Sequence, residues 1–294
     1  MRTAAAKPRA LVGVIGGSGL YDMPAVTGRR EVRVRTPFGV PSGPILLGAL
    51  SGVPCAFLPR HGRGHVLLPC EVNSRANIWA LKSLGVERVV SISAVGSLKE
   101  ELPPRDFVFP AQLVDETKGR VSTFFGGGLV AHVAFDQPFC AEEARLLHET
   151  ARGLDISSHL GQTLVCMEGP AFSTKAESEY HRRQGYDIIG MTAVPEAKLA
   201  REAELCYAAA CLVTDYDCWK EGEEVSSGKV VENLHVNVSN AQRLLAKAVP
   251  ALAARRRACR CAAALAGAIF TDPRRADRRA VRRLGLLAGR YLKG

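Results

Sequence analysis

NSRANIWALKSLGVERVVSISAVGSL, residues 73–98, holds the pattern that decides the fold. Its first half, Asn73–Leu84, carries apolar residues at helical spacing, with Ser74 placed to cap the helix. Val89–Ile92 is then a short apolar run, which reads as a buried strand. Small and hydroxyl-bearing residues follow: Ser91-Ile92-Ser93-Ala94-Val95-Gly96-Ser97-Leu98. The same alternation recurs along the chain. Further strand-like runs are Leu11–Ile15, Pro44–Leu50, Val53–Leu58, Phe107–Val114, Leu164–Glu168, Asp187–Met191 and Ala208–Thr214. Helical patterns lie at Ala141–Leu154, Ser173–Gln184, Val194–Cys206 and Val230–Val249. Strands alternating with helices indicate an α/β domain on a largely parallel or mixed sheet. Lys118–Gly128 is the most flexible-looking loop. Pro250–Arg260 reads as a break before a final basic helix over about 273–292.

At 294 residues the chain suits one large domain or two ordinary ones, and its 47% hydrophobic content is globular. The net charge of +10 is concentrated at one end. Residues 251–294 hold 12 basic residues against Asp272 and Asp277, the entire excess, so residues 1–250 balance. A protein built to coat nucleic acid spreads charge over its binding face. The arginine-rich end is therefore a solvated helix, or a local attraction for RNA or an acidic surface. Nine cysteines are scattered, mostly in apolar runs, and none has the spacing of a zinc finger or ribbon. Cys259 and Cys261 form a C-x-C pair, open to a redox role or a late disulfide. An odd count at buried positions argues for a reducing compartment. Residues 10–20 hold four glycines and lack a small-x-small cleavage site, so they read as strand plus loop rather than a leader. No apolar run approaches the roughly 18 residues that would span a bilayer.

Polar signals gather where strands end. Gly16-Gly17-Ser18-Gly19 follows the first strand, with backbone N–H groups able to converge on an anion. It is not the dinucleotide fingerprint, because Asp22 stands where a third glycine is needed. Arg60-His61-Gly62-Arg63-Gly64-His65 supplies arginine for phosphate oxygens. No carboxylate or cysteine adjoins these histidines, so no metal site is read there. In Met167–Thr174, Ser173 is placed to cap a helix and Phe172 is core or a stacking face. Thr192 sits between a strand and a helix, where it can donate to an anion. Asp215 and Asp217 close the core strand at AACLVTDYDCW, residues 209–219. Strand alternation would put both carboxylates on one face and Tyr216 on the other. Ligands of open α/β sheets bind at the carboxyl ends of strands. Together these residues indicate an anion site beside a pocket with an aromatic, a methionine and two carboxylates.

Eight segments occur in order: GVIGGSGLYD, TPFG, RHGRGH, NSRANIWALKSLG, SAVGSL, MEGPAFSTKAES, MTAVPEAKLAREAELCYA and TDYDCW. Over residues 10–250 the chain closely resembles the methylthioadenosine-cleaving branch of the trimeric purine nucleoside phosphorylase family. The resemblance implies a single α/β domain, residues 1–254, whose mixed twisted sheet forms a distorted barrel flanked by helices. Residues 255–294 would be a basic C-terminal extension, helical and packed on that domain. It implies phosphorolysis of methylthioadenosine, with phosphate as co-substrate and no metal or organic cofactor. It further implies a cytoplasmic homotrimer with shared active sites, no membrane and no nucleic-acid partner. By resemblance, Ser18, Arg60, His61, Ser93, Ala94 and Thr192 hold phosphate. Met191 lies on the ribose, Phe172 on the base, and Val95 and Gly96 line the base pocket. Asp215 and Asp217 face the purine, Asp215 assisting the leaving base. Val230 and Val231 hold the 5′ substituent, Ser173 and Ser227 stand at specificity positions, and His132 reaches a neighbouring subunit's site. Relatives acting on 6-oxopurines carry Asn where Asp215 stands, so this chain suits a 6-aminopurine. A broader purine nucleoside or methylthioinosine phosphorylase is the alternative within this chemistry. An RNA-associated protein using the arginine-rich end is the alternative outside it.

Overall fold

The computed structural model describes residues 10–292 apart from residues 18, 21 and 223–226, and the backbone alone for 227–231. The elements run β1 (Val12–Gly16), β2 (Val26–Val32), β3 (Ile45–Leu50), β4 (Val53–Pro59), α1 (Ser74–Ser83) and β5 (Arg88–Ser97). Then come β6 (Phe107–Phe109), β7 (Gln112–Glu116), α2 (Ala141–Arg152), β8 (Ser158–Leu160), β9 (Thr163–Met167) and α3 (Lys175–Arg183). The chain finishes with β10 (Ile188–Gly190), α4 (Ala193–Glu202), β11 (Cys206–Asp215), α5 (Ser227–Ala254), α6 (Arg278–Arg283) and α7 (Gly285–Ala288).

The eleven strands of the described residues belong to one mixed sheet that branches at β5. Along one edge β5 pairs in parallel with β11, from Arg88 to Gly96. Its other edge is shared. Parallel β1 takes Arg88–Ser91, and antiparallel β10 takes Gly96 and Ser97. Between them, residues 92–95 have no ladder partner on that side. β1 also pairs in parallel with β4, so β1, β4, β5 and β11 all end at the same rim of the sheet.

The core follows from strand alternation. In β11, Ala209, Cys211 and Val213 pack in one cluster with Ile78 and Leu81 of α1 and Ala197 and Leu199 of α4. Ala208, Ala210 and Leu212 pack in a second with Leu147 of α2 and Ala241, Leu244 and Leu245 of α5. A strand covered on both faces must be apolar throughout, which explains the unbroken run that closes in two acids.

Several elements differ from the sequence pattern for identifiable reasons. Phe107–Val114 splits into β6 and β7 around Pro110, which lacks the N–H that a continuous ladder needs. β2 and β8 escape the pattern because β2 is almost entirely exposed beyond Val26 and β8 is three residues long. The break anticipated over Pro250–Arg260 comes after Ala254 and not at the proline. α5 continues to Ala254, because Ala248, Val249 and Leu252 are buried and their packing outweighs the lost hydrogen bond. The single basic helix over 273–292 is two short helices instead. Asp277 caps α6 by accepting from the N–H groups of Arg279 and Ala280, and the chain breaks at Leu284-Gly285. Asn73, not Ser74, caps α1. Thr174, not Ser173, caps α3, in a reciprocal box with Glu177, while Ser173 is buried.

The supposedly flexible loop is tied down: Phe124 is fully buried and its N–H donates to Glu202 Oε2 at 2.7 Å. Beyond α5 the chain lies on the body of the molecule. Buried Glu204 accepts from Arg290 Nη2 (2.5 Å), Tyr291 Oη (2.6 Å) and the Leu265 N–H (3.0 Å), and its carbonyl from Arg257 (2.7 Å). The cysteines are not all scattered either. Cys140, Cys206, Cys259 and Cys261 converge as four free thiols, and the C-x-C pair is not joined.

Candidate active site

A cavity of about 350 Å³ opens where β5 lacks a partner, lined along its floor by Ile92, Ser93, Ala94, Val95 and Gly96. Divergence of β1 and β10 creates it. Gly17 after β1, Arg60 and His61 after β4, and Thr214 and Asp215 at the end of β11 arrive from the shared rim. β10 runs the other way and brings Gly190, Met191 and Thr192. Ile189 lies opposite Gly96, so three residues further along β10 Thr192 should meet Ser93. Their hydroxyls are 3.1 Å apart.

This end of the cavity suits an anion. Arg60 is buried, and its guanidinium is fixed by groups of the protein itself. Nε donates to Glu196 Oε1 at 2.6 Å, Nη2 to Glu196 Oε2 at 3.2 Å and Ser91 Oγ at 2.6 Å, and Nη1 to the Ile92 carbonyl at 2.9 Å. These bonds leave a single Nη1 N–H uncommitted. Glu196 is itself held by the hydroxyls of Ser91 (3.2 Å) and Tyr207 (2.9 Å). Buried charges survive only when paired and hydrogen-bonded in this way. His61 Nδ1 donates to the Leu67 carbonyl at 2.9 Å, which fixes the tautomer and turns Nε2 outward as an acceptor. Burial lowers the pKa of His61; the Leu67 contact opposes the shift and the charge of Arg60 adds to it. The lowered pKa favours the neutral ring.

The opposite end is carboxylate. Asp215 accepts from the Thr214 hydroxyl on Oδ2 (2.7 Å) and from the Asp217 N–H on Oδ1 (2.8 Å). Burial pushes its pKa up; the two hydrogen bonds oppose this, and the charge of Asp217 adds to it. Asp217 is also buried, and its Oδ2 has no partner. The two acids share the cavity, but not by simple strand alternation. β11 ends at Asp215, and Asp217 takes φ +52° in a turn that swings it back. Tyr216 packs away, edge-on to Trp219 at 5.6 Å between ring centroids. Gly96 leaves room beneath them: a Cβ there would lie 3.1 Å from Asp215 Oδ1 and 3.1 Å from Ile189 Cγ2, close enough to push both side chains back by a few tenths of an ångström.

The wall between the two ends is apolar, with Met191 on one side and Phe172, 65% exposed, at the mouth. Gly169, at φ +70°, lets Met191 in; a Cβ there would stand 2.5 Å from its sulfur. Arg120 steadies the same turn. It donates from Nη1 to the carbonyls of Met191 (2.7 Å) and Val194 (2.8 Å), and its Nε meets Glu168 Oε2 at 3.0 Å. Leu234 and Val238 of α5 close the third side.

Arg60, His61, Ser93, Ala94, Val95, Gly96, Phe172, Met191, Thr192, Asp215 and Asp217 therefore share one cavity. Ser173 is not on its surface; it lies behind, its hydroxyl 3.8 Å from Met167 Sδ. His132 lies outside it, edge-on to Phe270 with ring centroids 5.1 Å apart. Ser18 and the side chains of Ser227, Val230 and Val231 fall outside the described residues. Sequence reading missed Glu196, Arg120, Leu234 and Val238. Only the last two leave a trace, following Val230 at intervals of four along one helix face.

Residues 11–250 match the model of the phosphorylase superfamily. An S-methyl-5′-thioadenosine phosphorylase of Gloeobacter violaceus is 53% identical, over 97% of this chain and 97% of its own. That of Koribacter versatilis is 52% identical, over 96% and 97%. Among solved structures, a methylthioadenosine phosphorylase from an Antarctic soil metagenomic library superposes with a TM-score of 0.92 at 49% identity, covering 96% of this chain and 99% of that one. A variant adenosine/methylthioadenosine phosphorylase of Schistosoma mansoni, in complex with methylthioadenosine, gives 0.80 at 39% identity, covering 84% and 93%.

Proposed function

The chain belongs to the phosphorylase superfamily, and from that premise we infer that it is an S-methyl-5′-thioadenosine phosphorylase. It is a pentosyltransferase. Phosphate cleaves S-methyl-5′-thioadenosine to adenine and 5-methylthioribose 1-phosphate, a step of purine and methionine salvage.

The cavity suggests how its residues divide the work. Ser93 and Gly96 are three residues apart on β5, so its two ends are about 10 Å apart. That length holds a phosphate, a ribosyl ring and a purine in line. Phosphate would sit against the hydroxyls of Ser93 and Thr192, the backbone of Ala94, the remaining N–H of Arg60 and His61 Nε2, with Ser18 completing the cradle. Neutral His61 would accept from a protonated phosphate oxygen rather than donate to it. As the glycosidic bond lengthens, the sugar gains oxocarbenium character. The fixed phosphate stabilises that charge and then bonds to C1′. The electrons of the broken bond pass to the base, and Asp215 supplies a proton or strong hydrogen bond at N7.

The observation that carries the choice of base is the unpartnered Asp217 Oδ2. A buried acceptor wants a donor, and the 6-amino group of adenine provides one where a 6-oxo group would not. Met191 and Phe172 would flank ribose and base. Leu234 and Val238 of α5 suit a methylthio group better than a 5′-hydroxyl, and Val230 and Val231 would add to them. Ser227 would tune that preference, and Ser173 would act on the cavity only through Met167, which lines it. In this reading phosphate is the co-substrate and the chemistry draws on no cofactor. Residues 1–254 form the catalytic domain and 255–294 its extension. Three chains assemble in the cytoplasm, with His132 reaching a neighbour's cavity. Among the described residues no helix is long and apolar enough to cross a membrane.

A substrate panel with phosphate tests the reading. Methylthioadenosine should have the highest kcat/KM, adenosine less, and methylthioinosine and inosine at least ~10²-fold less. Inosine cleaved as efficiently as methylthioadenosine would overturn it. The pH dependence gives a second check. An acid whose pKa is raised keeps its proton higher up the scale, so its contribution is full at low pH and fades as pH rises through the raised value. The ratio of wild-type to Asp215→Asn kcat/KM should therefore decline toward alkaline pH, phosphate ionisation cancelling between the two. A flat ratio would remove Asp215 from proton donation.

A further inference from the structure

The four converging cysteines take no part in the chemistry above, and none lines the cavity. They come from three places in the chain. Cys140 stands at the N-cap of α2, Cys206 opens β11, and Cys259 and Cys261 bracket the start of a 3₁₀ turn at Arg260–Ala263 in the extension. The Cys140 N–H donates to the Tyr207 carbonyl at 2.8 Å, which locks the first two side by side. All four Sγ atoms lie within 4.8 Å of one another, with Cys206 and Cys259 at 3.3 Å. Three are buried and Cys259 is half-buried.

We propose that Cys140, Cys206, Cys259 and Cys261 form a tetrathiolate site for a single zinc ion that fastens the C-terminal extension to the catalytic body. Zinc–sulfur bonds of about 2.3 Å in a tetrahedron place the sulfurs about 3.8 Å apart, within the span seen here. Mutual convergence of four sulfurs fits one central ion better than two separate pairs, and a bond within C-x-C would close a small strained ring. Binding is redox-neutral: four thiols and Zn²⁺ give a zinc tetrathiolate of charge −2 and four protons. The surroundings suit such an anion. Arg201 Nη1 donates to Cys261 Sγ at 3.8 Å, and the charge of Arg257 acts on Cys206 and Cys259. The buried acid beside them, Glu143, is paired with Arg88 at 3.0 Å. No local spacing announces the site, because three stretches of chain supply its ligands.

Metal analysis of the intact chain, purified under reducing conditions without chelator and then dialysed against zinc, tests this. One zinc per chain is expected. It should be released in step with modification of four thiols by a mercurial reagent. Cobalt(II) in its place should show the intense thiolate charge-transfer and visible bands of a tetrahedral sulfur site. Cys259→Ser with Cys261→Ser should lose the metal and lower the thermal midpoint, with kcat/KM for methylthioadenosine within about two-fold of wild type. Wild-type chain holding below about a tenth of an equivalent of zinc after dialysis would overturn the proposal. So would an intact mass two or four daltons low, which would mean disulfides, or iron as the bound ion. These readouts do not depend on whether the double variant folds.

Discussion

Replacing Asp215 by Asn should lower kcat/KM for methylthioadenosine by about 10²–10⁴, the range over which a positioned acid contributes to proton transfer. The substitution preserves size, and Asn Oδ1 can still accept from the Thr214 hydroxyl or the Asp217 N–H. The amide cannot give up a proton to N7. The loss should fall on kcat and kcat/KM together, since proton donation matters only as the bond breaks. 6-Oxopurine nucleosides should lose far less, because an Asn N–H can face their carbonyl. The measurement is a pair of kcat/KM ratios, mutant to wild type, for methylthioadenosine and methylthioinosine. Equal losses on both would mean that Asp215 does not discriminate between the bases.

Arg60→Met carries the second large effect, and it has two parts. It strands Glu196 at 1% exposure without its cation, and breaking a buried pair in this way costs about 3–5 kcal/mol of stability. It also removes a fixed charged donor from the phosphate end. Adding Glu196→Gln separates the two. The double variant should recover most of the urea midpoint, since the introduced glutamine is neutral and can still meet Ser91 and Tyr207. Its KM for phosphate should stay raised. Recovery of phosphate binding together with stability would show that Arg60 acts only as a structural counter-ion.

How much of this was legible in the sequence depended on how local each signal was. The glycine and hydroxyl residues at strand ends were visible because their neighbours on either side are apolar. Asp215 and Asp217 stood out for the same reason, although the turn at Asp217 that lets both enter one cavity did not. Glu196 and Arg120 were illegible. A glutamate in a helix and an arginine in a glycine-rich loop look solvated until folding buries them against partners 136 and 48 residues away. The cysteine cluster was hidden in the same way. Among the elements, α5 ran through its proline and β7 parted from β6 because burial and hydrogen-bond supply, not propensity, set those boundaries.

The unpartnered stretch of β5 makes the strand a ruler. In the proposed reading the phosphate end is marked at Ser93 and the base end at Gly96, and pairing with β11 along the opposite edge holds the markings in place. One residue inserted between the marks would not stretch the cavity slightly. Side chains alternate between faces at every step, so it would reverse the facing of every residue beyond it and break the register with β11. Reach along this axis cannot be adjusted gradually, and longer or shorter substrates must be accommodated by the helix and loops that face the ruler.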